Sequence, residues 1–415
     1  MTGSNGTLYP RLRPLDIKPF VHDDRAFVLL RDPLQLSDKL LLVPQALVPV
    51  LALCDGTRED ARALTTSFSL RFGLGIEDGI VDELLAALNE AVLLDNDRFN
   101  EVCERAVREY RGAPFRQPAL AGPSYPADPD ELRAMLDGFQ RSPGQSPGLP
   151  GPSNQFGLVS PHIDYARGGP VYAEVWMRAA EIVRAADLVV VFGTDHYGGE
   201  GELTLTRQNY ATPLGVLPTA TAIVDELAEA IGIEAAYKGE LRHRGEHSIE
   251  LASVWLQYIR DGAECEVVPI LCGSFAGFIR GDSDERNDGT IGAVIEVLRK
   301  MTAGSRVLYV AAADLAHVGP AFGGEPVDFI GRDQVKEFDD ELIEQICAGN
   351  PDGFIAAIKR VQDCNNVCGV SPIYMMLRMI EGSRGTQVGY DRCPADEEGT
   401  SLVSICGAVF DGVTD

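Results

Sequence analysis

Three apolar runs constrain this chain more than any other feature: "ADLVVVFG" (186–193), "CEVVPILCG" (265–273) and "SRVLYVAAAD" (305–314). Each is rich in β-branched residues, bounded by turn or breaker residues, and continuous enough to be buried on both faces of a sheet. "GLVS" (157–160) reads as a fourth such strand. Helical patterns stand between the strands, such as "SIELASVWLQYI" (248–259), and "DDELIEQICAG" and "PIYMMLRMI" follow the last run. Alternation on this scale predicts an α/β domain whose sheet is mainly parallel and flanked by helices.

The first hundred residues read as a separate, mainly helical small domain. "AFVLLR" (26–31) is a strand candidate, and "LVPQALVPVLALCDG" (42–56) is a short helix stopped at Asp55-Gly56. Thr57 with Asp60 approaches a capping box for a helix ending at Gly73. "DELLAALNEAVLLD" then sets Leu84, Leu85, Leu88 and Val92 on one helical face. The pattern breaks between Ala106 and Gly122, so the expected domains are 1–110 and 115–415. "YPADPDELRAMLDGF" opens the second with a helix begun at Asp130, and "RSPGQSPGLPGPSN" (141–154) is expected to be a flexible surface loop.

A net charge of −26 repels phosphate backbones and anionic headgroups, which argues against nucleic acid and membrane surfaces as partners. The N-terminal stretch lacks the features of a secretory signal, and no apolar run is long enough to span a bilayer. Nine scattered cysteines without a dense framework read as reduced thiols in a cytoplasmic protein.

Five of the six histidines fall in the central stretch: His162, His196, His243, His247 and His317. His162 follows one expected strand, His196 another, and His317 a third together with Asp314. Loops at the carboxyl ends of parallel strands converge on a crevice, the usual ligand site of such sheets. If the three strands are neighbours, three imidazoles meet there. A carboxylate beside an imidazole fixes its tautomer and raises its basicity, which suits Asp314 and His317 to general-base work. Cys368 stands just before Gly369 and a helix beginning near Pro372, where a thiol's pKa falls. As a thiolate it is a soft ligand for zinc, iron or copper and would complete a site of two histidines and one cysteine.

Other motifs carry less. Cys364 and Cys368 form a CxxxC without a second pair. "HRGEH" (243–247) fits an inverted zinc-protease pattern, but Gly245 disfavours one regular helix, and Ser248 looks like the N-cap of the helix that follows. "RGDS" (280–283) lies in a polar loop and reads as a solvated turn.

"ALAGPSYPADPDELRAML", "SPHIDYARGG", "GTDHYGG", "GEHSIEL", "VPILCG", "AADLAHVG" and "CGVSPI" occur in this order, and over roughly residues 115 to 412 the chain resembles the Memo family. That resemblance implies a fold like that of the class III extradiol dioxygenases, whose members use a non-haem iron. It implies His162, His196 and Cys368 as metal ligands, Asp314 and His317 as the pair lining the same pocket, and His247 as the histidine of the Glu-His-Ser-Ile-Glu block. The implied cofactor is one transition-metal ion, iron or copper before zinc, and the implied activity is a metal-dependent, dioxygenase-like oxidoreductase acting on a small molecule or peptide. A non-catalytic metal- or peptide-binding protein is the alternative. Bacterial relatives of this kind (the AmmeMemoRadiSam setting) are associated with a radical-SAM protein, which implies such a partner. The first hundred residues resemble small peptide-binding winged helices of the PqqD type. The chain departs from the family at Asp164 and Asp195, where glycine and serine are common, and both are expected to add negative charge near the cation.

Overall fold

In the computed structural model, residues 9–23, 25–77, 79–140, 154–410 and 412 are described. They fall into two compact units divided after Gly112. The loop expected at 141–154 lies outside the described residues apart from Asn154.

The smaller unit carries an antiparallel sheet in the order β1 (Asp16–His22), β2 (Arg25–Arg31), β3 (Leu41–Pro44). Four helices follow: α1 (Val48–Leu53), α2 (Ala61–Phe72), α3 (Ile80–Glu90) and α4 (Asp97–Gly112). Several local expectations need correction. Leu42–Pro44 extends as β3 because it pairs with β2, so the first helix begins only at Val48. Asp60 rather than Thr57 caps α2, accepting from the Ala63 amide at 2.8 Å, whereas the Thr57 amide donates to Asp55. Gly73 ends α2 as expected, with φ of +67°, a conformation that costs glycine nothing. Val92 falls beyond α3, although it is buried. Sequence reading missed α4 because it buries only Ala106 and Tyr110 on an otherwise polar surface. Leu30, Leu64, Phe68, Leu85 and Leu88 form the centre of this unit's core.

The larger unit opens with α5 (Pro129–Gly138), capped by Asp128, which accepts from the amides of Asp130 and Glu131. Then come β4 (Gln155–Ser160), α6 (Tyr165–Arg178), α7 (Ala180–Ala185), β5 (Leu188–Thr194) and the short strands β6 (Leu203–Leu205), β7 (Tyr210–Thr212) and β8 (Gly215–Leu217). The chain continues through α8 (Thr221–Ile231), α9 (Ile233–Tyr237), α10 (Ser248–Arg260), β9 (Glu266–Cys272), α11 (Ala276–Arg280), α12 (Gly289–Met301), β10 (Val307–Ala312) and β11 (His317–Val318). It closes with α13 (Phe329–Cys347), α14 (Pro351–Arg360), α15 (Val370–Met379), β12 (Gly385–Pro394) and β13 (Leu402–Phe410).

The main sheet runs β11-β13-β4-β10-β5-β9-β6, with β12 paired to β13. Its centre, β4-β10-β5-β9, is parallel, and the outer pairings are antiparallel. The fold is therefore α/β with a mixed, mostly parallel sheet. β5 and β10 are buried along their whole length. Alternate residues feed different cores: Val189, Val191, Leu308 and Val310 face α6 and α10, whereas Val190, Phe192, Tyr309 and Ala311 pack with α12 and α15 residues. This period of two, doubled across the sheet, is why the strand sequences are apolar throughout. β4, β10 and β5 are direct neighbours and all point the same way, so the loops that follow them open on one edge of the sheet.

Candidate metal centre

Pro161 ends β4, and His162 turns inward with 2 % of its surface exposed. Two contacts fix it. Its main-chain amide donates to Asp314 Oδ1 at 2.8 Å, and Nδ1 faces the Ala312 carbonyl at 3.0 Å. A carbonyl only accepts, so Nδ1 carries a proton, and Nε2 is the nitrogen turned toward the site. That Nε2 lies 3.3 Å from Cys368 Sγ. Asp314 also receives the Ile163 amide at 3.3 Å, so it braces the His162 loop. The expectation that Asp314 orients His317 is thereby revised: His317 Nδ1 faces the Leu315 carbonyl at 3.1 Å, and its amide donates to the Asn365 carbonyl.

His196 follows β5. Its ring centre lies 5.0 Å from that of His162, edge to face. His247 stacks nearly parallel to His196 at 5.0 Å and lies 5.5 Å from His162. It precedes α10, outside the helix. Ser248 is not the cap: it is the first residue of α10, its hydroxyl donates to the Thr194 carbonyl, and the Glu246 carboxylate takes the amides of His247 and Ser248. The protease-like motif dissolves for the same reason. His243 sits in a separate short 3-10 turn, fully buried, with Tyr210 Oη 2.6 Å from Nδ1 and the Thr204 carbonyl 3.1 Å from Nε2.

Cys368 directly precedes the Gly369 that caps α15. The Gly369 amide donates to the Asp314 carbonyl, and a Cβ at Gly369 would meet that oxygen at 2.4 Å, so only glycine lets the Cys368 turn lie against the end of β10. The donor atoms of His162, His196 and Cys368 all lie within 4.8 Å of one another. A tetrahedral ion holds nitrogen and sulfur ligands roughly 3.5 Å apart, so a small rotamer adjustment would bring this set around one metal. Two imidazoles and a thiolate are a borderline-soft donor set suited to iron, copper or zinc. Cys364 is exposed on the neighbouring turn and joins no donor group among the described residues.

The electrostatics favour a thiolate at Cys368. Burial pushes the Cys368 thiol up, but the charges of His162 and His317 and hydrogen bonds from His162 and His196 outweigh it and hold its pKa well below the usual thiol range. Burial lowers His162, yet Asp314 and Cys368 carry it up to about 9. Burial dominates at His247 and brings it down to about 4 despite Glu246. The expected extra negative charge from Asp164 and Asp195 is not realised. Asp164 caps α6 and pairs with Arg167 at 2.6 Å, and Asp195 pairs with Arg242 at 2.7 Å, so each carboxylate is matched by a guanidinium. Gly168 and Gly169 serve the packing of the helix that follows His162. They lie in α6, where added Cβ atoms would strike Ile163 and the Phe139 ring.

Sequence reading passed over Glu246. It is buried, its Oε2 lies 2.9 Å from His196 Nδ1, and its position between His243 and His247 was the only signal. With His196 and His247 it makes a second group of possible donors. Two clefts reach the centre. One, of about 400 Å³, includes Leu120, Arg167, His162 and His247; the other, of about 670 Å³, includes Asp363, Asn366, Cys368 and Ser371. His196, His317 and Phe322 line both. Arg280 of the "RGDS" stretch is half exposed and pairs with Glu200 and Asp282, as a solvated turn would.

Residues 116–409 match the family model described as "Memo-like protein". A MEMO1 family protein of Aquifex aeolicus is 26 % identical over 410 residues, covering 97 % of this chain and 99 % of the relative. MEMO1 family proteins of Methanosarcina barkeri and Methanopyrus kandleri are 30 % and 31 % identical over 267 and 264 residues, or 63 % and 62 % of this chain and 86 % and 83 % of theirs. No helix among the described residues is long and apolar enough to cross a membrane.

Proposed function

The chain belongs to the Memo-like protein family, and on that premise we propose that it is a metal-dependent oxidoreductase holding one iron or copper ion between His162, His196 and Cys368. The observation that carries this reading is the convergence of three donor atoms within 4.8 Å from the loops after β4 and β5 and the turn before α15. A bound ion of either kind would supply Lewis acidity and one-electron chemistry.

The chain's own residues would do the rest. His317 stands at the junction of both clefts, with Nδ1 against the Leu315 carbonyl, so Nε2 is the atom that takes or gives a proton. Asp314 holds the His162 loop through two amides and keeps that ligand from swinging out. His247, kept largely neutral by burial, is a second proton acceptor on the smaller cleft. The clefts are sized for a small molecule or a short peptide segment.

Elemental analysis of untagged protein purified without chelators, beside a His162→Ala/Cys368→Ala variant, tests this. Near-stoichiometric iron or copper in the natural protein and none in the variant is the expected result. Equal trace amounts in both after reconstitution would overturn it.

A further inference from the structure

We propose that Glu246 is the positioning residue of this centre: its carboxylate fixes His196 as the Nδ1–H tautomer, so that Nε2 faces the pocket, and holds His247 parallel to it. The inference rests on the metal reading above for its consequence but not for its geometry.

An ionised carboxylate only accepts hydrogen bonds. Oε2 of Glu246 lies 2.9 Å from His196 Nδ1 and 3.2 Å from the His196 amide. Nδ1 must therefore carry a proton, which makes Nε2 the nitrogen that turns to the pocket and can be freed for an ion. Oε1 accepts the amides of His247 at 2.7 Å and Ser248 at 3.0 Å, and His247 Nδ1 lies 3.2 Å from it. Both oxygens are thus occupied by main-chain donors as well as imidazoles. A cation between His196, Glu246 and His247 would have to displace them, so this second donor group is a hydrogen-bonded shell and not a second metal site. The glutamate is itself clamped: Arg116, buried beside Glu250, donates to the Glu246 carbonyl at 2.8 Å and to the His243 carbonyl at 2.7 Å. Carboxylates that orient a ligating imidazole in this way tune metal affinity as well as ring direction.

Glu246→Gln is the discriminating change. Its amide oxygen can serve the His247 and Ser248 amides, but its NH2 then faces His196 Nδ1. That nitrogen must turn acceptor, and the proton moves to Nε2, the atom the metal needs. Nitrogen-15 NMR of the metal-free protein, at a pH high enough that the His196 ring is neutral, reads the tautomer without any metal present, with His196 assigned by a His196→Gln variant. The expected result is Nδ1–H in the natural protein, Nε2–H in Glu246→Gln, and cobalt(II) affinity lowered about 10–100-fold in that variant, with part recovered in Glu246→Asp. An Nε2–H His196 in the natural protein overturns the proposal even if the Gln variant fails to fold. So does a Gln variant that keeps the Nδ1–H form and binds cobalt(II) normally. Failure of the natural protein to take any metal would sink the metal reading alone and leave the tautomer result to judge Glu246.

Discussion

Cys368 Sγ lies 3.3 Å from His162 Nε2, although 206 residues separate them in the chain. The pair exists because β4 and β10 are parallel neighbours and the Cys368 turn is bonded to Asp314 just past β10. Removing either partner should therefore cost more metal affinity than the roughly 10–100-fold typical of an outer hydrogen-bond partner. Cys368→Ser and His162→Ala should each retain well under a tenth of the natural metal content, as measured by elemental analysis at matched fold. Loss of the thiolate should also erase any sulfur-to-metal charge-transfer band in cobalt- or copper-loaded protein.

His317 faces both clefts, with Nδ1 against the Leu315 carbonyl at 3.1 Å. His317→Ala should leave metal content unchanged and lower turnover of any substrate about 10²–10⁴-fold, the usual share of a positioned acid or base. Metal analysis and activity on the same preparation separate the two effects. A variant that loses its metal would place His317 in the support of the donor set, as a ligand or through the Cys368 thiolate, and overturn its role as a proton carrier alone.

Gly369 has no room for a methyl group: an added Cβ would meet the Asp314 carbonyl oxygen at 2.4 Å and Ala313 Cβ at 2.7 Å. Both neighbours belong to the rigid exit of β10, so the Cys368 turn must move instead. Gly369→Ala should cost about 1–3 kcal/mol in urea unfolding, the range for an overpacked site. It should weaken metal binding as well, because the displaced residue carries the thiol.

The strand-end positions of His162, His196 and His317 were legible because buried strands write themselves as unbroken apolar runs with a breaker at the exit. That β4, β10 and β5 stand side by side was not legible, since strand order depends on long-range pairing and not on local pattern. The same limit hid the partner of Asp314, which looks along the sequence toward His317 but bonds across the sheet to the His162 loop. Glu246 is obscured because its motif resembles a zinc-protease pattern, in which it would act on a helix that Gly245 and the 3-10 turn prevent. The Arg116–Glu250 pair left no trace either, since a buried charge reads in sequence like any surface one. Asp164 and Asp195 misled for the opposite reason: each looked like uncompensated charge until its arginine came into view.

Arg116 and Glu250 are both fully buried, and Glu250 also receives the amides of Ala119 and Leu120 and the Tyr125 hydroxyl. Arg116→Ala would strand that carboxylate and free the carbonyls of His243 and Glu246. A loss of about 3–5 kcal/mol is expected, the cost of breaking a buried pair from one side. The two tryptophans, Trp176 and Trp255, lie in the core of the larger unit, so their fluorescence during urea unfolding reports on it.

His243 gives the clearest pH signature outside the donor set. Burial lowers its pKa to about 3, so it is neutral in the folded protein, while in the unfolded chain it titrates near the ordinary histidine value of 6.5. Between those values the unfolded chain binds the extra proton. Its contribution to stability is therefore complete above about pH 6.5 and is lost as pH falls toward 3. Asp339 and Asp363 act in the opposite sense: burial raises both to about 6, so they favour the folded state less as pH rises from 3.8 to 6. The difference between the natural protein and His243→Gln cancels those carboxylates and isolates the histidine. Measured by urea unfolding of the metal-free protein, that difference should widen in favour of the natural protein from pH 4 to 6.5, at up to about 1.4 kcal/mol per pH unit, and then level off. A difference that stays flat across the window would mean that His243 is already protonated in the folded state, against the Thr204 carbonyl and the Tyr210 hydroxyl.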